Sequence, residues 1–203
     1  MSSVIAPTFG FAFPPLTPQP RRFSCAEFHQ LGDMGWFEGR RAMLIDGEIL
    51  EMPGPNPPHA TMTAKVDYTL RRYFTQGFVI RNQSPLVLGQ ATDPEPDLAV
   101  VAGKLMDFYS AHPTTAALVI EIADSTLAFD TTTKASLYAA AKIADYWVVD
   151  LVGKRLIVFR QPQPDSAQPF KAKYASVQPL QPPGTISPLS APAASIPVAD
   201  LLP

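Results

Sequence analysis

A chain of 203 residues, 46% hydrophobic and 17% charged, has the length and balance of an ordinary globular protein with one sizeable core. Its net charge of −2 and pI near 5.9 exclude a global positive field for nucleic-acid phosphates and leave room only for a local basic patch. The single cysteine, Cys25, excludes an intrachain disulfide or a cysteine zinc cage and suits a reducing cytoplasm. No segment approaches the roughly 18 apolar residues that span a bilayer and the N-terminus lacks a signal-peptide pattern, so a cytoplasmic chain without a membrane partner is expected.

Prolines mark the organisation: residues 1–20 hold five of the 23 and residues 161–203 hold ten. A flexible arm is expected over residues 1–22, where proline occurs without periodic apolar residues. One domain is expected over residues 23–203. Its proline-rich segment 161–203 carries the apolar residues Ile186, Leu189, Ile196, Val198 and Leu201 and is expected to lie along the domain's edge.

Order begins at Ser24, which with Glu27 forms a capping-box pattern, so a short helix is predicted toward Gly32. Two strands, Arg41–Ile45 and Glu48–Met52, are predicted around Asp46-Gly47, a dipeptide suited to tight hairpin turns. After a proline-rich loop over 53–58, a helix over 59–76 places Met62, Val66, Leu70, Tyr73 and Phe74 on one stripe. Strand-like runs follow at 78–81, 86–88, 98–101 and 118–122. The last belongs to the apolar run 116–123, broken only by Glu121, as in a strand buried on both faces. Asp130-Thr131-Thr132-Thr133 reads as a helix start with alanine-rich 134–142 behind it, and strands are predicted at 146–149 and 156–159. The order is that of an α/β (α+β) fold with a mixed central sheet flanked by helices.

Three residues in this frame point to chemistry. On a strand, Glu121 shares a face with Val119 and Ala123, and burying it unpaired costs several kcal/mol. A divalent cation, a partner Lys or Arg, or an exposed strand end would each compensate it. Asp97, fixed by Pro96 at the start of an apolar strand, is either a turn residue or a second carboxylate for the same ion. Lys134, read in the first turn of its helix, sits where a cation is disfavoured, and is either solvated or turned toward Asp97 and Glu121. His59 reads as lining a helix start, Ser125 as a loop residue without a nucleophile elbow, and Tyr146 and Trp147 as core. Asp130 reads as a helix cap or as a partner of Lys134. Arg71, Arg72, Lys154, Arg155, Arg160, Lys171 and Lys173 either scatter over the surface or converge on DNA.

The series Glu95-Pro96-Asp97-Leu98-Ala99-Val100-Val101, Leu118-Val119-Ile120-Glu121-Ile122-Ala123-Asp124-Ser125-Thr126, Asp130, Lys134, Tyr138 and Asp145-Tyr146-Trp147-Val148-Val149-Asp150 resembles the Uma-two family of the PD-(D/E)XK nuclease superfamily. Leu44-Ile45-Asp46-Gly47-Glu48-Ile49, His59 and Val198-Ala199-Asp200-Leu201-Leu202 fit as well, so the similarity runs from about residue 23 to the end. The resemblance implies a restriction-endonuclease-like fold and a metal-dependent DNA endonuclease. Asp97 and Glu121 would be its acids and, with the Ile122 carbonyl, the ligands of Mg²⁺ (or Mn²⁺). Ala123 stands where the superfamily has its lysine, which assigns that role to Lys134, and Met43 replaces a Glu common in the family. DNA is the implied partner, and a homodimer is implied by analogy, since two cuts need two sites. The alternative is a degenerate nuclease fold that binds nucleic acid or a partner without turnover.

Overall fold

The computed structural model describes residues 18–203, so residues 1–17 of the expected arm lie outside the described residues. Six strands form a mixed sheet: β3 (Phe78–Asn82), β4 (Leu98–Ala102), β5 (Leu118–Ala123), β6 (Asp145–Asp150), β7 (Arg155–Pro164) and β8 (Ala172–Leu180). They lie side by side in chain order, β5 and β6 parallel and every other neighbouring pair antiparallel. Hairpin β1–β2 (Arg41–Ile45 and Glu48–Met52) stands outside this sheet, behind helix α1 (Cys25–Asp33). A short pair, β9 (Thr185–Ile186) and β10 (Ile196–Pro197), lies in the C-terminal tail.

The alternation of side chains along each strand divides the core into two layers. Leu98, Val100, Ile120, Ile122, Trp147 and Val149 meet Met62, Val66 and Leu70 of helix α2 (Pro57–Arg71), together with Ile186, Ile196, Val198 and Leu201 of the tail. Their neighbours Ala99, Val101, Val119, Ala123, Tyr146 and Val148 meet Ala135, Tyr138 and Ala139 on the opposite face. These last three belong to a helix built from α3 (Leu127–Phe129), a π-helical turn (Asp130–Lys134) and α4 (Ala135–Ala140). The fold is therefore a mixed sheet flanked by helices, and no helix among the described residues is long and apolar enough to cross a membrane.

The predicted capping box at Ser24 is present, with reciprocal bonds to Glu27. The hairpin turn is also as predicted: Asp46 and Gly47 both adopt positive φ, 49° and 77°. A Cβ at Gly47 would stand 2.6 Å from the Arg22 Cβ, so only glycine fits there.

Four expectations need correction. No strand forms at 86–88: the N–H groups of Leu86, Val87 and Leu88 go to Pro94, Pro113 and Thr92 carbonyls, so Leu86 is buried as a loop anchor. The helix predicted over 59–76 runs from Pro57 to Arg71, because Asn56 caps it and two prolines suit its first positions. The helix placed at Asp130 begins at Leu127. The strand at 156–159 continues to Pro164 and is followed by β8. Prolines are tolerated there because β6 pairs only with Arg155 to Arg160 of β7, leaving Pro162 and Pro164 paired on one side alone.

Candidate active site

The paired register Leu98 to Ile120 sets Asp97 opposite Glu121, one step further along the two strands and on the face shared with Val119 and Ala123. The Asp97 N–H donates to Glu121 Oε2 at 3.3 Å, and the Ile122 N–H donates to Asp97 Oδ2 at 2.9 Å. Both carboxyls are buried, with Asp97 8% and Glu121 1% exposed. Of the compensations open to Glu121, the one present is a cation from its own chain: Lys134 Nζ lies 2.9 Å from Glu121 Oε2 and 3.4 Å from Asp130 Oδ1. Lys134 is 7% exposed and so is not a solvated surface lysine. It belongs to the second turn of its helix, inside the π-helical segment, and not to the first turn expected for it.

Asp130 does not cap that helix. Its Oδ2 accepts from the Thr126 hydroxyl at 2.5 Å and its Oδ1 faces Lys134. Tyr138, one turn beyond Lys134, donates its hydroxyl to Glu121 Oε1 at 2.8 Å. Asp130, Lys134 and Tyr138 thus descend on the strand from one helix. The sequence showed Tyr138 four residues after Lys134, but not that its hydroxyl reaches Glu121.

His59 is the member that sequence reasoning assigned to a helix start and no more. It does open α2, where Asn56 Oδ1 accepts its N–H at 3.0 Å and Asn56 Nδ2 donates to Asp124 Oδ2 at 2.6 Å. That anchorage carries the ring over the strand ends, with Nε2 3.1 Å from Asp97 Oδ2 and Nδ1 buried without a partner.

The electrostatics follow from burial and these contacts. Burial pushes the Glu121 carboxyl up to about 8, against the opposing pull of Lys134. Burial acts the same way on Asp97, but the hydrogen bond and charge of His59, the Ile122 N–H and Lys134 outweigh it and hold that carboxyl below its usual range. Lys134 is disfavoured as a cation by burial, yet Glu121 and Asp130 raise it above an ordinary lysine. The hydrogen bond to Asp97 raises His59.

These groups form the floor of a cavity of about 330 Å³. Its walls are hairpin β1–β2, the loop through Pro53 and Pro55, the start of α2 and the helix face at Phe129. Met43, standing where the resembled family has Glu, lies in this wall and is buried. Among the described residues no group of three or more His, Cys, Asp or Glu side chains is arranged to hold a metal ion. Two carboxylates and a carbonyl nevertheless suit a hard divalent cation, which keeps several waters and needs only one or two protein carboxylates. Asp97 Oδ1, with a single long contact to Gln83 at 3.4 Å, and Asp130 Oδ1, without a hydrogen bond, add under-used oxygen donors.

Five of the seven basic residues considered for DNA, all but Lys154 and Lys171, pair with carboxylates of the chain. Arg160 holds Asp145 at 2.8 and 3.2 Å, Arg155 holds Asp150, Arg71 holds Asp67 and Lys173 holds Asp165. Asp145 itself is fully buried and also receives Trp147 Nε1 and the Leu189 N–H, so Arg160 is a structural counter-ion.

Residues 25–199 match the sequence pattern of the Uma2 (Uma-two) family, described as "Putative restriction endonuclease". The chain is also similar in structure to a protein described as "a putative nuclease belonging to DUF820 from Anabaena variabilis ATCC 29413". That likeness has a TM-score of 0.65 at 16% identity and covers 88% of this chain and 97% of the other, and at such identity it speaks for the fold alone. No curated protein matches the chain.

Proposed function

Because the chain belongs to the Uma2 family, described as "Putative restriction endonuclease", we propose that it is a metal-dependent DNA endonuclease that hydrolyses phosphodiester bonds. The observation that carries this reading is the pair of facing carboxyls, Asp97 and Glu121, with the buried Lys134 ammonium 2.9 Å from Glu121 at the floor of an open cavity. Asp97, Glu121 and the Ile122 carbonyl are the ligands we assign to Mg²⁺ or Mn²⁺. A bound divalent ion supplies charge neutralisation at the phosphate and a water of lowered pKa.

The chain's own residues supply the rest. Asp97 is held by His59 and the Ile122 N–H, and Glu121 by Tyr138 and Lys134, so neither carboxyl has to be ordered when substrate arrives. Lys134, permanently charged and fixed by Asp130, offers its ammonium to a phosphate oxygen or orients the attacking water. Water oxygen then bonds to phosphorus and releases a proton to solvent, one phosphorus–oxygen ester bond breaks, and the departing oxygen takes up a proton from solvent. Tyr138 and His59 act through the carboxyls and are positioning residues.

Mn²⁺ titration by calorimetry and cleavage of plasmid and oligonucleotide DNA test the proposal. Wild type binds Mn²⁺ and cuts, and Asp97→Asn and Glu121→Gln lose both under conditions where circular dichroism shows the variants folded. Wild-type cleavage no greater than that of Glu121→Gln would remove the reading. One observation favours a second reading, a nuclease fold that binds without turnover: Met43 stands in the cavity wall in place of the acid. DNA affinity that persists in the Asp97→Asn, Glu121→Gln double variant, with no Mn²⁺ bound by wild type, would decide for it.

A further inference from the structure

The cavity above the carboxyls is more apolar than phosphodiester hydrolysis alone requires. Glu121, Lys134 and Asp97 are 1, 7 and 8% exposed, so a scissile phosphate must descend to them. The space above them, about 330 Å³, is near the lower end of the range that encloses one small organic ligand. It has the size for one nucleotide and not for base pairs stacked on both sides of a phosphate.

The lining points to what does enter. Leu50, Met52 and Phe129 are half-buried and Pro53 and Pro55 exposed, so carbon surface, including one aromatic ring, faces the space. Arg41 and Glu95, 3.3 Å apart, are paired on the wall away from the floor carboxyls, where Glu51 and Thr126 also stand. Carboxyls at Glu51, Glu95, Asp97, Glu121 and Asp130 outnumber Arg41 and Lys134, so this wall does not draw a phosphate backbone along itself. Affinity in such a place comes from a base, through stacking and carbon contact.

Resting on the nuclease reading above, we infer that DNA reaches the carboxyls as an unpaired strand, with one nucleotide seated in the cavity and its base against Phe129 and Met52. Single strands, bulges and flaps enter directly. A perfect duplex must first extrude a nucleotide and bears the unstacking penalty.

Three substrates of one sequence, offered to the full chain with Mn²⁺, test this: a single-stranded oligonucleotide, its perfect duplex, and the duplex with a central unpaired bulge. The single strand and the bulge are cut, the perfect duplex about tenfold or more slowly. Phe129→Ala weakens binding of a single strand carrying 2-aminopurine, followed by its fluorescence in Ca²⁺, by about tenfold, as for loss of one base–aromatic contact. Phe129 also packs against Met43, Ile45 and Leu137, and its ring lies 5.8 Å from Lys134 Nζ. Phe129→Leu, which keeps carbon packing but no ring, is therefore measured beside it and loses the same affinity with its circular dichroism spectrum unchanged. Should the duplex be cut as fast as the single strand, or Phe129→Ala leave binding unaltered, the inference falls while the nuclease reading stands. Absence of cleavage on all three substrates removes both.

Discussion

Tyr138→Phe removes one oxygen from the centre of the candidate site and little else. The ring, fully buried and 4.9 Å from that of Tyr146, keeps its volume and its aromatic contact. What is lost is the 2.8 Å bond to Glu121 Oε1, leaving a buried acceptor unsatisfied at a cost of about 1–3 kcal/mol. For a chain of this size that lowers Tm by roughly 2–4 °C per kcal/mol, or about 2–12 °C in all. In a Glu121→Leu background the same change removes a hydroxyl that already lacks its partner, so it is neutral or stabilising, and the coupling between the two positions is about 2 kcal/mol. Guanidinium unfolding of the four proteins measures the cycle. Loss of a group that orients a metal ligand also lowers Mn²⁺ affinity by about tenfold, read by calorimetry. A Tyr138→Phe cost below about 0.5 kcal/mol, or an equal cost in both backgrounds, would show that Tyr138 does not hold Glu121.

Three further outcomes follow from contacts described above. Asn56→Ala removes the cap of α2 and its tie to Asp124, costing about 1 kcal/mol in denaturant unfolding and weakening Mn²⁺ binding through His59. Arg160→Met leaves Asp145 buried without its counter-ion and costs about 3–5 kcal/mol, while DNA affinity, measured by anisotropy under conditions where the variant is folded, stays at the wild-type value. Gly47→Ala combines a positive φ with a 2.6 Å clash against Arg22, so it lowers stability by about 1–3 kcal/mol and speeds exchange of the Phe23 amide, which donates to the Gly47 carbonyl.

The central strands were legible because they are short, nearly continuous apolar runs, as in strands buried on both faces, and because Glu121 alone interrupts one of them. Asp97 was legible because Pro96 fixes the start of its strand. The position of Lys134 in its helix was misjudged for a local reason: Asp130 followed by three threonines resembles a cap, whereas the helix starts at Leu127, and Thr126, the residue before it, makes no side-chain capping bond. The π-helical segment Asp130–Lys134 holds no apolar residue, so its shift of phase could not be read from an apolar stripe. His59 depends on a tertiary fact, the passage of the start of α2 over the end of β4. The strand expected at 86–88 shows the converse, an apolar triplet whose amides find loop carbonyls instead of a ladder.

The wide turn at Asp130–Lys134 has a consequence for the phase of the helix. In a regular α-helix four residues overshoot one turn by about 40°, so side chains at 130, 134 and 138 would fan across some 80°. A π-helical turn holds more residues and takes out part of that overshoot between Asp130 and Lys134, so that Asp130 stands behind the ammonium while Lys134 and Tyr138 both reach Glu121. Lysine two residues after the acid would reach the site from the strand itself and need no such correction. Its place on the helix makes the chemistry depend on the shape of a turn: deletion of one residue among Thr131, Thr132 and Thr133 would let the turn close as regular α-helix, with Asp130 and Tyr138 within about 20° of one another and Lys134 displaced about 60° from Asp130.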